Sequence, residues 1–498
     1  MEYQASYPVD IEAPRPERSK VAWFTWPTLI PLVFLPGLIL LATPGEYLAG
    51  AMLAYVNCLI GGCGVVHFVR QRTLGALIPV LMLTLLLLAW PVASIYFAIF
   101  DNDISYVLRS GTLITNLSGN VRLQLVTLIF LVSYLAPAML LIRKPPTVTP
   151  TVVTRGRSVL VACGVLGGVV LVVGLNILSK LITLPDTMVY IVDGSLLYFN
   201  GLTFVIGAYF GHLPKSLRVF TLAFLVAAGY FYTLGNARGM ALVPFGMFLF
   251  GLLFCADVSQ KWKLSILGLF LVLFPVYIVI GNTTRVLLRR GGGFEDLSYR
   301  AQVLGRWREV RQSTSALSAT LGRLFFTGGH SIVTRTPEQL PYMDFSLTGY
   351  TTELLGRLLP ARFYYNPYYG TNANLLRYGF LITETTSVEI SLIGGMWMLG
   401  GAGFVVAGGV ASALLHAWLA RILRKAGESS PHKALVYMGV IGPGVLFWTS
   451  FDLISDFRTV VWRLIAAGVL YYLGFYWLVT GETERSSREP SIEYAATA

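Results

Sequence analysis

Charge is scarce in this chain. Asp, Glu, Lys and Arg make up 12% of the 498 residues, about half the share of a typical soluble globular domain, and that scarcity excludes a soluble enzyme. Cysteine is scarcer still. Cys58, Cys63, Cys163 and Cys255 fall inside or at the edge of apolar runs, without the spacing or histidine partners of a metal site, and they read as small core residues. The N-terminus also lacks the short basic start of a cleavable signal peptide. Its first 20 residues, MEYQASYPVDIEAPRPERSK, are polar and contain proline, so the first apolar segment is expected to stay in the mature protein.

What is present is apolar sequence, 55% of the chain with a mean hydropathy of +0.67. At about 20 residues per crossing this supplies on the order of a dozen membrane spans. Runs of spanning length lie near residues 21–43, 47–69, 75–99, 121–142, 157–178, 194–211, 218–235, 240–256, 263–281, 387–416, 434–453 and 459–480. The expected fold is all-α, a polytopic membrane protein of about 12 transmembrane helices. It divides into a first block of nine spans over residues 1–281, a loop subdomain over 282–386, and three spans with a tail over 387–498.

The formal net charge of +12 could suggest nucleic acid, but the basic residues mostly sit between apolar segments, where membrane topology alone collects them. Lys and Arg gather before the first span (Arg15, Arg18, Lys20), then after the second (Arg70, Arg72) and the fourth (Arg143, Lys144, Arg155, Arg157). The pattern continues after the sixth (Lys215, Arg218), the eighth (Lys261, Lys263) and the tenth (Arg421, Arg424, Lys425, Lys433). By the positive-inside rule both termini are cytoplasmic and no nucleic-acid partner is expected.

This topology puts residues 282–386 outside the cytoplasm, far too long a stretch for a passive turn. Glu295 to Arg311, Gln312 to Phe326 and Thr351 to Leu359 can be read as short amphipathic helices, which makes a small helical cap. The loop holds twelve arginines and no lysine, an excess that the positive-inside rule does not require of a long translocated loop. The planar guanidinium binds phosphate oxygens in bidentate fashion where lysine offers a point charge. Arg335, Arg362 and Arg377 in this loop are therefore candidate ligands of a pyrophosphate-bearing substrate, although pairing with lipid head groups or with Glu295, Asp296, Glu309, Glu338, Asp344 and Glu353 accounts for some of the twelve.

The histidines sort by side. His67, His212, His416 and His432 fall at cytoplasmic helix ends or loops. His330, in Thr-Gly-Gly-His-Ser, is on the outer face, where a neutral imidazole can accept a proton from a sugar hydroxyl. Ionisable groups at apolar helices are costly and functional by default. Arg238, in Gly-Asn-Ala-Arg-Gly between the seventh and eighth spans, is one, and Glu389 at the outer end of the tenth is another. Asp452, Asp456, Arg458 and Arg463 around the last outer turn read instead as an internal salt-bridge network. Asp101-Asn102-Asp103 resembles the acidic motif of metal-dependent polyprenyl-phosphate-sugar glycosyltransferases. It follows the third span here rather than the first, and no metal site is assigned.

These residues carry a wider resemblance over roughly residues 225 to 415. Arg238 in NARGMALVPF, the loop with HSIVTRTPEQLPY, the segment LLPARFYYNP and the run GFLITETTSVEISLIGGMWMLGGAGF resemble bacterial O-antigen or oligosaccharide repeat-unit polymerases, in the wider group that includes O-antigen ligases. The resemblance implies a glycosyltransferase of the inner membrane, metal-independent and without a cofactor. It would polymerise undecaprenyl-pyrophosphate-linked oligosaccharides at the periplasmic face, among membrane lipids and alongside a chain-length regulator and a flippase. By that likeness Arg238, Arg362 and Glu389 take the recurring positions of an arginine, a Pro-Arg step, here Pro-Ala-Arg, and a glutamate before glycines. His330 matches the loop histidine of the ligases. Two alternatives stay open: an O-antigen ligase, and a transporter of polysaccharide or lipid-linked glycan.

Overall fold

The computed structural model describes residues 35–71, 73–100, 106–107, 113–114, 120–143, 155–181, 198–234, 238–273, 391–446, 448 and 453–476. These residues are helical apart from one antiparallel pair of two-residue strands, β1 (Tyr106–Val107) and β2 (Leu113–Ile114). In chain order the helices are α1 (35–42), α2 (Gly45–Gln71), α3 (Leu74–Leu87), α4 (Ala93–Phe100), α5 (Val121–Leu141) and α6 (Arg155–Leu181). Then come α7 (Tyr198–Ala208), α8 (Lys215–Leu234), α9 (Arg238–Phe254) and α10 (260–273). The last three are α11 (Leu392–Ser429), α12 (Pro431–Leu446) and α13 (Leu453–Leu470).

Each of the twelve apolar runs carries helix in its described part, and five helical stretches are long and apolar enough to cross a membrane: Gly45–Gln71, Leu74–Tyr96, Val121–Leu141, Arg155–Asn176 and Leu399–Ser429. The chain is a membrane protein. Large side chains such as Leu41, Leu171, Val219, Val272 and Leu473 stay exposed on its surface, as lipid-facing helices require and a soluble protein of this size avoids. The loop subdomain, residues 282–386, lies outside the described residues.

α3 is apolar on every side and is buried over most of its length, so it takes a central place. Thr73 caps it, the side chain accepting from the Ala76 N–H. Beyond Leu87 the helix widens into a π-turn, Leu88–Val92, that contains Pro91; proline has no N–H to donate, and its ring crowds the carbonyl four residues back. α5 packs most extensively on α11 and α2. α7 is wedged between α9 and α12 by glycines: a Cβ on Gly201 would collide with the Gly439 carbonyl, one on Gly207 with the Phe248 carbonyl and one on Gly251 with the Phe204 carbonyl. Small residues let helix backbones meet where no water drives them together.

The contacts fix relative directions. Thr203 donates to the Pro244 carbonyl and Gly207 meets Phe248, so α7 and α9 run parallel. Tyr209 bonds His432 while Gly201 meets Gly439, so α12 runs against α7; Trp448 reaches Ser412, so it also runs against α11. Arg122 lies over Trp397 and Tyr134 bonds His416, so α5 runs parallel to α11, and Arg463 reaches Val440 while Lys433 donates to Tyr472, so α13 runs against α12; the N-termini of α5, α7, α9, α11 and α13 therefore share one end of the bundle. Arg70, Arg143, Arg155, Arg157, Lys215, Arg218, Lys261, Lys263, Arg421, Arg424, Lys425 and Lys433 collect at the other, called the basic end below.

Candidate functional site

Arg238 is the first residue of α9, at the end opposite the basic one. His330, Arg335, Arg362, Arg377 and Glu389 lie outside the described residues, as do Asp101, Asp103 and the Arg238 side chain. Among the helices that start at this end are α9 with Arg238, α11, which begins three residues beyond Glu389, and α5 with Arg122.

The α11 start is unusual in its backbone. Ser391 is buried and has φ 60° and ψ 154°, a conformation that costs a non-glycine residue about 1–3 kcal/mol and persists only where its surroundings hold it. Its side chain caps the helix by accepting from the Gly394 N–H at 3.2 Å. The helix then breaks at Gly400 and Gly401, the latter at φ 64° and ψ −144°, a region open to glycine and strained for any other residue. The piece 392–399 is thus set apart from the long remainder of α11. Arg122, at the α5 N-terminus, places its guanidinium 4.8 Å from the centre of the Trp397 ring, a cation–π contact that ties this piece to α5. Sequence reasoning missed both Arg122 and the break. A Gly-Gly inside an apolar run was the available signal for the break, and an arginine at an outer helix end was the signal for Arg122.

Three polar clusters sit inside the bundle. Asn57 donates to the Gln124 carbonyl at 2.9 Å and to its Oε1 at 3.1 Å. Gln124 in turn donates to Ser94 Oγ at 2.9 Å, so α2, α5 and α4 are joined by a buried network. Tyr134 and His416 Nδ1 are 2.8 Å apart, the imidazole lies against Trp448, and Trp448 donates to Ser412 at 2.8 Å. The sequence reading put His416 at a helix end, and the structure corrects it: α11 continues to Ser429 because nothing in LLHAWLARILRKAGES interrupts a helix, so His416 is an interior, fully buried residue. The third cluster is Tyr209 with His432 Nδ1, 2.6 Å apart, at the basic end and ahead of the expected span 434–453. Burial and the nearby Arg157 guanidinium push the His432 imidazole down to about 4. Burial also lowers that of His212 in the preceding turn, where Arg155 and Arg218 add to it and Asp257 opposes.

Other polar groups serve the scaffold. Arg218 donates to the Leu213 and Gly211 carbonyls beyond the C-terminal end of α7, and Lys263 to the Leu253 carbonyl of α9. Arg463 is buried, donates to the Val440 carbonyl at 2.9 Å and faces the Tyr198 ring at 5.7 Å; the side chains of Asp452, Asp456 and Arg458, the other members of the expected salt-bridge network, lie outside the described residues. All four cysteines are free, and Cys63 is exposed rather than in the core. Among the described residues no three His, Cys, Asp or Glu side chains converge. Compared with known proteins, the chain matches no family model, no curated protein and no solved structure.

Proposed function

We propose that the chain is a glycosyltransferase of the bacterial inner membrane that polymerises undecaprenyl-pyrophosphate-linked oligosaccharide repeat units at the periplasmic face. The reading rests chiefly on Arg238, a cation opening an apolar helix at the end away from the basic one, in a chain whose long loop has twelve arginines and no lysine. The bond formed joins an acceptor hydroxyl oxygen to the anomeric carbon of the donor; the bond broken is that carbon's link to the pyrophosphate, which leaves with the electron pair. Arg238 and Arg362, with Arg335 and Arg377, neutralise the charge that develops on the leaving group. His330 or Glu389 takes the hydroxyl proton. No metal or cofactor is needed in this scheme.

A second reading, transport of a lipid-linked glycan, is favoured by the break in α11 and the buried Tyr134–His416 pair on the same bundle, since transporters place polar groups on interrupted helices. Purified full-length protein in detergent, given lipid-linked repeat units, separates the two. Chain growth there supports the polymerase. No new glycosidic bond with the intact protein refutes it, and single-step transfer onto a lipid acceptor without chain growth points to the ligase.

A further inference from the structure

The break in α11 does more than interrupt a helix. A Cβ on Gly408 would run into the Met396 side chain, 2.7 Å from its Cγ. In an uninterrupted helix positions twelve apart stand about 18 Å from each other, so Gly400 and Gly401 fold the piece 392–399 back against the long part of α11, 402–429. The Ser391 end of the piece lies at most about 12 Å inward of the break, still in the outer half of the bundle. Positive φ angles bracket the piece, 60° at Ser391 and 64° at Gly401, so neither the chain before it nor the long part after it holds it in line. Leu392, Ile393 and Met396 are buried, while Trp397 is half-buried and meets Arg122 of α5.

Arg122 has no other evident reason to be where it is. It is exposed and stands second in α5, where the helix dipole disfavours a cation, at the end of the bundle where membrane topology does not collect one. Among the described residues no carboxylate pairs with it. Its guanidinium lies 4.8 Å from the centre of the Trp397 ring, a contact that joins the folded-back piece to a helix outside α11. We propose that Arg122 is a positioning residue: through Trp397 it sets the placement of 392–399, and with it that of Glu389, two residues ahead of Ser391. The part that concerns Glu389, a candidate base, rests on the polymerase reading; the placement of the piece does not.

Amide hydrogen exchange and chain growth, both on the full chain in detergent, test this. Arg122→Gln and Trp397→Leu should each raise exchange over 392–399 by about two- to five-fold, the worth of one exposed cation–π contact, and leave 402–429 unchanged. The double variant should do no more than either single one, because both remove the same contact. With lipid-linked repeat units each should lower kcat by a similar factor at unchanged KM. Arg122→Lys, whose ammonium can also sit over the ring, should restore most of both. Arg122 is exposed, so Arg122→Gln keeps the test decisive even where Trp397→Leu disturbs packing. Unchanged exchange over 392–399 in Arg122→Gln overturns the proposal. So does a raised KM that Arg122→Lys leaves uncorrected and Trp397→Leu does not share, which would make Arg122 a direct ligand of the pyrophosphate. If the unaltered chain makes no polymer, the polymerase reading falls together with the role of Glu389, and the exchange response alone then upholds or overturns the placement by Arg122.

Discussion

At the scale of single residues, the informative positions are charges and imidazoles where lipid or tight packing surrounds them. Arg238 opens α9 next to apolar sequence on both sides. Arg238→Ala should abolish polymer at normal protein level. Arg238→Lys should restore little, because an ammonium cannot reproduce the planar two-point contact with phosphate oxygens; full activity of the lysine variant, measured on the same lipid-linked units, would show that charge alone suffices. His432 carries a different prediction. Its imidazole is held down to about 4 in the folded protein against about 6.5 in an unfolded chain, so between these values the unfolded state binds a proton that the folded state refuses. Stability should therefore be full above pH 6.5 and fall as the pH drops toward 4, by up to about 3 kcal/mol. Thermal unfolding in detergent across that window should show the decline, and His432→Asn, which keeps a neutral polar partner for Tyr209, should make it shallower, the lowered imidazole of His212 keeping its own share.

Among the elements, α11 is the one whose backbone departs from its sequence pattern. The run was legible as a span, but its apolar composition hides the interruption at Gly400 and Gly401 and the extension past His416 to Ser429. Hydropathy measures transfer into lipid; it does not register backbone direction or where a helix stops once it leaves the apolar zone. Gly401→Ala should lower stability by about 1–3 kcal/mol, because it forces a Cβ into a positive-φ conformation. Gly403→Ala, two residues on in regular helix and facing open space, should be neutral or slightly stabilising. Equal melting temperatures for the two variants would mean that the break straightens without cost. α7 teaches the same lesson from packing: its short apolar run predicts a helix, yet only the close approaches of Gly201 and Gly207 to neighbouring carbonyls show that it is wedged between two others.

For the whole molecule, the segregation of Lys and Arg to one end of a bundle with parallel α5, α7, α9 and α11 leads to a topology test. If the basic end is cytoplasmic, an impermeant thiol reagent applied to intact cells should label a cysteine placed at Ser313 and miss one at Ser429, which is exposed at the end of α11. The reverse pattern would remove the basis for a periplasmic reaction. Charge compensation by arginines also predicts that polymerisation by the purified protein persists in excess EDTA, and that Asp101→Ala with Asp103→Ala has little effect. Inhibition by the chelator with recovery on magnesium would move the chemistry to the segment after the third span.

The sequence by itself determined the membrane setting, the helical class and the positions of the apolar runs, because each depends on local composition summed over about 20 residues. It also singled out Arg238, since a lone charge in apolar surroundings is visible without coordinates. Only the tertiary structure decided that Arg122 meets Trp397 across 275 positions of sequence, and that Tyr134 and His416 form one buried pair. These facts depend on which helix faces which, and in this chain glycine contacts with neighbouring carbonyls and side chains set those neighbours. A glycine's side-chain volume is zero wherever it stands, so its partner cannot be read from the sequence around it.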